Sequence, residues 1–518
     1  QDPAGRQPRS LPAGRPTAEP ALLAPVGAPA PAQSERPNIV LLLTDDMRAD
    51  DLRWMPNVRR LVAGRGLTFR NSFSPYPLCC PARASLLSGQ YAHNHKVFSH
   101  VDPFGFGAFD DRATIGTSLN RAGYNTLFLG KYLNGYGVQD SLVTGRPSFR
   151  YVPPGWTDWY AAVSRPKGSG YSSGGTYSYW NTLFNVNGSI DDSYRGQYQT
   201  DVVGKLSRML IRKYHRSPKP FFLHLSPVAP HFGTPREKDD PIDVVDPATG
   251  RIEKIKTPAR PRWVRGRFDD EIPLASGLPS DGGPSEADVS DKPRPMNGRL
   301  ELTDQERDAV RSLTRQRAEA LFVLDREVAR IVRTLKATDE YDNTVFMFTS
   351  DNGYFLGEHR MRQGKIKPHE PSLRVPFLVT GPGIPQGVRY DPVATPDVSA
   401  TILDLAGARA PRPADGRSLV PSLAADGGWT VPVVTEGMET SGVFRRAGRD
   451  PAPGFHDPRT TIGVRTARWK YVRYVDGDGE LYDLDTDPNE LTNRFDDPRL
   501  ADVQRRLARL WAEREDCA

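Results

Sequence analysis

Apolar runs and amphipathic stretches alternate along the chain, and this alternation predicts an α/β fold. Continuous apolar runs, the pattern of parallel strands that are buried on both faces, occupy residues 38–44, 124–129, 220–226 and 344–349. Two further candidate strands lie at 67–74 and 374–380. Apolar residues at helical spacing occupy 55–66, 115–122, 199–214, 303–338 and 396–406. We therefore predict a large mixed, mostly parallel sheet sandwiched by helices.

The pattern changes after about residue 408. Residues 461–474 and 480–484 have the composition of antiparallel strands, joined by the turn Asp476-Gly477-Asp478-Gly479. A final amphipathic helix is predicted over 498–514, with Asp497 as its cap. The chain is therefore expected to consist of a catalytic domain over 37–407 and a smaller C-terminal α+β subdomain over 408–518.

Three stretches fall outside this alternation. Residues 1–36, rich in Ala, Pro, Gly and Arg, are predicted to form a disordered linker. Such a tether, starting without Met, is what remains after removal of a signal peptide, so we expect a secreted or periplasmic protein; a chain trimmed for another reason is the alternative. Aromatic residues crowd 151–200, as a sugar-stacking wall or, for most rings, a packed insertion. Residues 233–300 have weak periodicity and are expected to form a lid or a partly disordered loop.

Composition excludes several classes of protein. The 518 residues include 69 basic and 63 acidic side chains, a net charge of +6 that is spread evenly, so no nucleic-acid-binding stripe is indicated. The three cysteines, at 79, 80 and 517, offer neither a disulfide framework nor zinc-type spacing. No stretch approaches the roughly 18 consecutive apolar residues of a membrane span.

Acidic residues follow two of the apolar strands at the point where each strand ends. Asp45 and Asp46 come after the strand 38–44, and Asp351 and Asn352 come soon after the strand 344–349. Ligands bind at the carboxyl ends of strands in open α/β sheets, and adjacent carboxylates are tolerated best around a cation. A solvated loop is the alternative for the first pair. Together the oxygen donors suit Ca²⁺ or Mg²⁺ better than zinc or copper.

The most specific motif is the C-x-P-x-R core of residues 79–83, which is followed by a small apolar helical run ending at Gly89. A thiol at a helix start faces unpaired N–H groups, where an anion is stabilised, and Arg83 adds a fixed positive charge. The alternative is that Cys79 and Cys80 are ordinary core residues, but Pro81 and Arg83 at set offsets serve no core purpose.

Three further basic residues follow strand ends, and with Arg83 they could bind a tetrahedral anion. Lys131 and His231 come after the strands 124–129 and 220–226, and Lys365 lies in the loop after Asp351. Each one alone is more often a solvated surface charge; their joint placement reverses that expectation. His224 lies inside its strand and is interpreted as a core side chain with satisfied hydrogen bonds.

The residues 79–89 resemble the signature of type I sulfatases of the alkaline phosphatase superfamily, and the resemblance extends from about Pro37 to Asp496. It implies that a formylglycine-generating enzyme oxidises Cys79 to formylglycine. It implies a Ca²⁺ site, with Mg²⁺ possible, made by Asp45, Asp46, Asp351, Asn352 and the modified Cys79. It also implies that Arg83 holds the aldehyde hydrate, that Lys131 and Lys365 bind sulfate, and that His231 assists the leaving oxygen.

The implied reaction is a covalent sulfation cycle. One hydroxyl of the hydrated aldehyde attacks sulfur, and the leaving alcohol takes a proton through His231 or Lys365. The other hydroxyl then loses its proton, the C–O bond breaks, and sulfate leaves as the aldehyde re-forms. The substrate would be a small-molecule or glycan sulfate ester.

The run Gly130-Lys131-Tyr132-Leu133-Asn134, with Tyr179-Trp180-Asn181 and the run 184–188, is similar to the N-acetylglucosamine-6-sulfatase branch; aryl sulfates are the other expected substrates. Many arylsulfatases have His where this chain has Leu133, which leaves the proton-transfer group open. Two alternative functions remain: a phosphonate monoester or phosphodiester hydrolase of the same superfamily, and a non-catalytic protein that binds sulfated glycans with an unmodified Cys79.

Overall fold

The computed structural model describes residues 36–245, 250, 252–439, 456 and 458–515. The predicted linker 1–36, apart from Arg36, and Cys517 lie outside these residues. The strands are β1 (Asn38–Thr44), β2 (Leu67–Phe73), β3 (Asn125–Lys131), β4 (Asp158–Ala162), β5 (Phe184–Val186), β6 (Ser189–Asp191), β7 (Phe221–Ser226), β8 (Val244–Val245), β9 (Ile252–Glu253), β10 (Thr344–Ser350), β11 (Phe377–Thr380), β12 (Gly387–Ala394), β13 (Val433–Gly437), β14 (Thr461–Arg465), β15 (Trp469–Tyr474) and β16 (Gly479–Asp483). The helices are α1 (Pro56–Leu61), α2 (Cys79–Ser88), α3 (Ala92–His95), α4 (Ile115–Arg121), α5 (Gln199–Tyr214), α6 (Asp304–Ala337), α7 (Glu370–Leu373), α8 (Thr395–Leu405), α9 (Val420–Ala424) and α10 (Ala501–Glu515).

Ten strands form one large sheet in the order β12-β2-β11-β10-β1-β7-β3-β4-β5-β6. The five central strands β10, β1, β7, β3 and β4 run parallel to one another, whereas β11, β5 and β6 are antiparallel to their neighbours. The predicted mixed, mostly parallel sheet is therefore confirmed. The carboxyl ends of β1, β7, β3 and β10 meet at one edge of it.

Helices cover both faces of this sheet, because alternate residues of a strand point to opposite sides. Ile39, Leu41 and Leu43 belong to the core that includes α2 and α8, and Val40 and Leu42 belong to the core that includes α5 and α6. Helix α6 opens with a capping box in which Thr303 Oγ1 accepts from the Glu306 amide at 3.3 Å and the Glu306 carboxylate accepts from the Thr303 amide at 2.8 Å.

The C-terminal part forms a second, antiparallel sheet in the order β13-β14-β15-β16, against which α10 packs Leu507. The predicted strand 461–474 is in fact the hairpin of β14 and β15. Residue Thr466 explains the break, because its hydroxyl accepts from the Trp469 amide at 2.9 Å and closes the turn. Asp497 caps the Arg499 amide at 3.0 Å, as predicted, although the first turn there is a 3-10 helix before α10.

The two unusual segments are built into the fold. Residues 151–200 supply β4 to β6, and rings such as Trp159, which stacks on Phe128 at 4.5 Å, are buried, in agreement with a packed insertion. In the segment 233–300, buried Arg260 pairs with Glu237 at 2.9 Å and with other carboxylates around it. Within the described chain, no helix has the length and apolarity needed to cross a membrane.

Candidate active site

The two acidic pairs come together at the edge of the sheet, because β1 and β10 are neighbouring parallel strands whose last residues, Thr44 and Ser350, lie side by side. The Asp46 amide donates to Asp351 Oδ1 at 3.1 Å, and the Asn352 side-chain amide donates to Asp46 Oδ1 at 2.6 Å. Asp46 has a left-handed φ of 65°, which turns the chain sharply after the strand. All of these acidic and amide groups are buried.

Cys79 is the first residue of α2, and the helix aims it at this acidic cluster. Its Sγ lies 3.3 Å from Asp45 Oδ1, 3.7 Å from Asp46 Oδ1 and 2.7 Å from Lys365 Nζ. The preceding residue gives the helix no side-chain cap, so the N–H groups of its first turn are open to an anion at this position. Cys80 points away, with its Sγ 3.5 Å from the Asn134 carbonyl.

Three cations from different elements surround the acidic cluster. Lys131 Nζ lies 2.7 Å from Asp45 Oδ2, and Lys365 pairs with Asp46. Arg83 Nε donates to Asp351 at 2.7 Å. The structure therefore brings the three basic side chains that were selected from the sequence to the edge of the sheet where the acidic residues lie.

Gly130 explains why the strand before Lys131 can pack so closely on β7. Its φ is 109°, and a Cβ at this position would lie 2.1 Å from the Ser226 carbonyl oxygen. A larger residue would therefore push β3 away from β7 and displace the neighbouring lysine. Gly130 is therefore required by the close approach of the two strands, and Lys131 supplies the positive charge.

His231 reaches the cluster from the loop after β7. Its Nδ1 donates to the Phe232 carbonyl at 2.7 Å, which directs Nε2 toward Asp46 Oδ2, 3.6 Å away. Tyr179 fixes the backbone by donating to the His231 carbonyl at 2.7 Å, and the Tyr177 ring stacks on the imidazole at 4.5 Å. Burial lowers the pKa of His231, and the nearby carboxylates offset this only in part.

Burial and charge act in opposite directions on the acids. Burial raises the pKa of Asp45, but the charge of Lys131 and its cationic neighbours outweighs burial and holds that pKa below its usual range. The same balance, with Lys365 as the main cation, lowers the pKa of Asp46 to about 2. Burial and the adjacent carboxylates raise the pKa of the Cys79 thiol well above its usual value. Asp45 and Asp46 are therefore charged at neutral pH, and the Cys79 thiol keeps its proton.

The donor set fits a divalent cation. Asp46 Oδ2 and Asn352 Oδ1 are buried acceptors that lack a hydrogen-bond partner in the described chain, and such atoms are rare without an ion or water. Asp45, Asp46, Cys79 and His231 each place one potential ligand atom within 4.8 Å of the others. Converging carboxylate and amide oxygens are the chemistry of a hard cation.

Several side chains at the site were not singled out from the sequence. Ser226, the last residue of β7, accepts from Arg83 Nη1 at 2.6 Å, and the same strand-end rule could have found it. Tyr177 lies under Lys131, 5.0 Å from ring to ammonium, and receives a hydrogen bond from Asn134 at 2.7 Å. Its place in an aromatic-rich segment gave no reason to choose it over the other rings.

Comparison with known proteins agrees with this geometry. A profile of the sulfatase family matches residues 37–408, and a profile of the C-terminal region of N-sulphoglucosamine sulphohydrolase matches residues 451–516. An arylsulfatase of Volvox carteri is 32% identical over 517 residues, covering 93% of this chain and 75% of its own length. The N-acetylglucosamine-6-sulfatase of Homo sapiens is 29% identical and covers 89% of this chain and 81% of its own length.

Solved structures share the fold. The structure of BT4656 in complex with its substrate D-glucosamine-2-N,6-O-disulfate superposes with a TM-score of 0.65 at 21% identity, covering 93% of this chain and 98% of that one. A phosphonate monoester hydrolase of Silicibacter pomeroyi superposes with a TM-score of 0.66 at 22% identity, covering 92% and 95%. The same fold therefore occurs in a protein that binds a sulfated sugar and in a phosphonate monoester hydrolase.

Proposed function

We propose, from the premise that this chain belongs to the sulfatase family and hydrolyses sulfate esters, that its substrates are glycans carrying 6-O-sulfated N-acetylglucosamine. The support is the similarity to N-acetylglucosamine-6-sulfatase, which covers 89% of this chain. The Gly130-Lys131-Tyr132-Leu133-Asn134 run belongs to the same resemblance. Aryl sulfates serve as the comparison substrates.

We assign the nucleophile to position 79 after oxidation of Cys79 to formylglycine, whose hydrate supplies an attacking hydroxyl. The Sγ in this structure marks where the oxygens of that hydrate would lie. An unmodified thiol is poorly suited to the reaction, because burial beside Asp45 and Asp351 disfavours the thiolate that a cysteine nucleophile needs. A formylglycine-generating enzyme is therefore the maturation partner.

Asp45, Asp46, Asp351 and Asn352 would hold the metal, and their oxygen donors suit Ca²⁺ or Mg²⁺. Of the two, we propose Ca²⁺ from the resemblance to type I sulfatases. The bound cation would polarise the nucleophile and neutralise charge on the sulfate. Lys131 and Lys365 are paired with Asp45 and Asp46. A cation held by those carboxylates would leave both ammonium groups to bind sulfate oxygens, while Arg83 is anchored on Asp351.

Proton transfer to the leaving oxygen falls to Lys365 or His231. Leu133, at the position where many arylsulfatases have His, is buried in the apolar core of the sheet and offers no proton. Tyr177 and Tyr179 hold His231 in place from two sides, so its Nε2 keeps its direction toward the cluster. Arg83, bound to Ser226 and Asp351, is positioned to hold the hydrate.

We also propose that the protein is exported. A support is the similarity to an extracellular sulfatase SULF-1 homolog of Drosophila melanogaster, 32% identical over 76% of this chain and 32% of the relative's length. The substrate class agrees with this location, because sulfated glycans are extracellular polymers. Fractionation of the native host would place the protein.

The observation that carries the proposal is Cys79 at a helix start, within 3.7 Å of two buried carboxylates and beside Lys365. The test is hydrolysis of a panel of sulfated monosaccharides, an aryl sulfate and an aryl phosphodiester. We expect N-acetylglucosamine 6-sulfate to be preferred. A phosphodiester turned over orders of magnitude faster than any sulfate ester would overturn the proposal.

Variants give the second test. Cys79→Ala and Asp351→Ala should each abolish turnover while the protein remains folded, because each removes reacting or metal-binding atoms rather than core volume. Cys80→Ser is the matched control and should keep most of the activity, since its sulfur faces the Asn134 carbonyl. Peptide mass mapping from the native host should show the aldehyde at position 79; an intact thiol in every molecule would favour glycan binding without catalysis.

A further inference from the structure

A cavity lies where the large sheet, the loop 233–300 and the C-terminal part of the chain meet. Its volume is about 790 Å³. It is lined by β2 and β11 of the large sheet, by the loop residues 276–279 and 284–287, and by the segment 488–491. None of the nine residues assigned to the active site lines it. We call it the junction cavity.

The carboxylates that line the junction cavity are all paired with cations. Asp50 and Glu358 lie 2.8 Å and 2.7 Å from Arg48. Glu286 lies 2.7 Å from Lys292 and 2.7 Å from the His359 ring.

The last two carboxylates share one lysine. Glu370 lies 3.0 Å from Lys470 and 3.1 Å from Arg465, and Glu490 pairs with the same lysine. The negative charge of the cavity wall is therefore already neutralised.

Two guanidinium groups of the wall have no such partner. Across the described residues, no carboxylate oxygen lies within 4.0 Å of the Arg70 or Arg374 guanidinium. Arg374 instead donates from Nε and Nη2 to the Arg70 carbonyl at 3.1 Å and 2.6 Å. Burial lowers its pKa, Glu370 and Asp50 raise it, and the charges of Arg465 and Arg70 lower it. Among the described residues, the cavity wall thus has two guanidinium groups that are not in an ion pair.

The rest of the wall combines apolar and polar residues. Leu278 and several prolines form its apolar part, and Thr68, Ser276, Ser285 and Asn489 add polar groups. A cavity of this size, which offers apolar surface beside charged and polar groups, can hold a small organic ligand. Free guanidinium groups select an anionic end on that ligand.

We propose that the junction cavity binds a small organic anion, with a carboxylate, sulfate or phosphate group held by Arg70 and Arg374 and the body of the molecule against Leu278 and Pro279. The ligand would contact the wall formed by β2 and β11 and the segment 488–491. Binding would therefore link the catalytic region to the C-terminal part. The site is distinct from the sulfate-ester site and does not depend on the proposed substrate.

The first experiment measures binding of naphthalene-1-sulfonate by calorimetry, with naphthalene-1-methanol as the neutral counterpart. To weaken anion binding at the catalytic centre equally in every sample, all proteins carry Lys365→Ala. Adding Arg70→Gln and Arg374→Gln should weaken the sulfonate about tenfold or more and leave the neutral probe unchanged. Arg212→Gln is the matched control, because Arg212 is also exposed and also donates to a backbone carbonyl.

Equal sulfonate affinity in the double-arginine variant and the control would overturn the proposal. If Arg374→Gln does not fold, Arg70→Gln carries the test alone, since the Arg70 side chain is exposed and makes no ion pair in the described chain. The second experiment asks which anion displaces the probe: glucosamine 6-sulfate, glucuronate or glucose 6-phosphate. Displacement by one of them identifies the class; displacement by none contradicts a site for sugar-sized organic anions.

Discussion

Two of the buried charge clusters in the described part of the chain differ in how their charges are arranged. The site cluster consists of Asp45, Asp46, Asp351 and Asn352 with their three cations. The junction cluster lies between the large sheet and the C-terminal part and consists of Glu286, Lys292, His359, Glu370, Lys470 and Glu490. In the site cluster, acidic groups from two strand ends converge on one point. In the junction cluster, each carboxylate faces a cation from another segment.

The difference shows that buried charge by itself does not indicate catalysis. Alternating charges from distant segments cross-link the fold, whereas like charges that converge on one point repel one another and are stabilised further by a ligand of opposite charge. The unpartnered Asp46 and Asn352 oxygens belong to the second case. Removing a bound metal should therefore change the properties of the site cluster and not those of the junction cluster. Replacing a basic side chain should lower the stability of the fold most in the junction cluster.

The largest effect is expected from removal of the metal. Dialysis against a chelator should lower activity by about a thousandfold or more, because the cation supplies charge that no side chain replaces. Added Ca²⁺ should restore it, and Mg²⁺ in a parallel sample tests the choice of ion. The melting temperature should also fall, because a ligand that binds only the folded state stabilises it. Full activity in a sample shown to be metal-free by elemental analysis would contradict this assignment.

The next effect is expected at Lys470, which is buried between Glu370 and Glu490. Lys470→Met should lower the free energy of unfolding by about 3–5 kcal/mol, because it leaves buried Glu490 without its cation and half-buried Glu370 with Arg465 alone. The catalytic constant of the folded protein should stay within about twofold, since the site cluster is untouched. Urea unfolding and steady-state kinetics measure the two quantities.

A double variant provides the control for this effect. Lys470→Met combined with Glu490→Gln should recover part of the lost stability, because one carboxylate is then neutral. No recovery, together with a lowered catalytic constant, would mean that the junction cluster shapes the active site. The contrast between the clusters would then fail.

The sequence predicted the site cluster far better than the junction cluster, for a physical reason. Asp45 and Asp351 follow apolar strands, and strand ends in a parallel sheet share one edge, so their proximity follows from local pattern and topology together. Glu370 lies in the short helix α7, whereas Lys470 lies in strand β15 of the second sheet. No local periodicity reports that such residues meet.

Other differences from the sequence prediction have the same origin. The break between β14 and β15 depends on a hydrogen bond of Thr466, whose β-branched side chain is equally compatible with an unbroken strand. Tyr177 could be assigned to packing but not to the place under Lys131, because which ring faces the site depends on the path of the whole insertion. The domain boundary near 407–408 stays a prediction, as do the roles of the site residues.

A smaller effect is expected from acid. Burial raises the pKa of Glu370, but Lys470 and Arg465 outweigh burial and lower it to about 2. A carboxyl whose pKa is lowered by folding stabilises the protein above its unfolded pKa of about 4.5, and this stabilisation is lost as pH falls toward 2. Glu370→Gln should therefore cost on the order of 2–3 kcal/mol at pH 7 and progressively less between pH 5 and pH 2.

Urea unfolding of both proteins at a series of pH values tests this. Exposed Glu271, substituted by Gln, is the control and should give a curve parallel to that of the unaltered protein. A stability deficit of Glu370→Gln that stays constant from pH 7 to pH 2 would show that the loss comes from packing. The ion pairs of the junction cluster would then contribute little.

The smallest effect is expected at His224, which extends the comparison to a buried polar group outside both clusters. The ring packs against Phe128 at 4.9 Å and is buried, as predicted, but neither ring nitrogen has a hydrogen-bond partner in the described chain, so the prediction of satisfied hydrogen bonds is wrong. Burial and, as the smaller cause, the charge of Arg83 lower its pKa to about 3. The ring is therefore neutral near pH 7.

If unpartnered buried polar atoms indicate function only where like charges converge, the two unpartnered nitrogens of His224 lower the stability of the fold and have no functional role. His224→Leu should then raise the free energy of unfolding by about 1 kcal/mol, because an apolar side chain of similar size replaces two unsatisfied nitrogens. Sulfate-ester turnover should stay within about twofold at every pH. A drop in the catalytic constant with a changed pH profile would instead make His224 a positioning residue for Arg83, and the site cluster would extend one layer deeper into the sheet than its metal-binding oxygens.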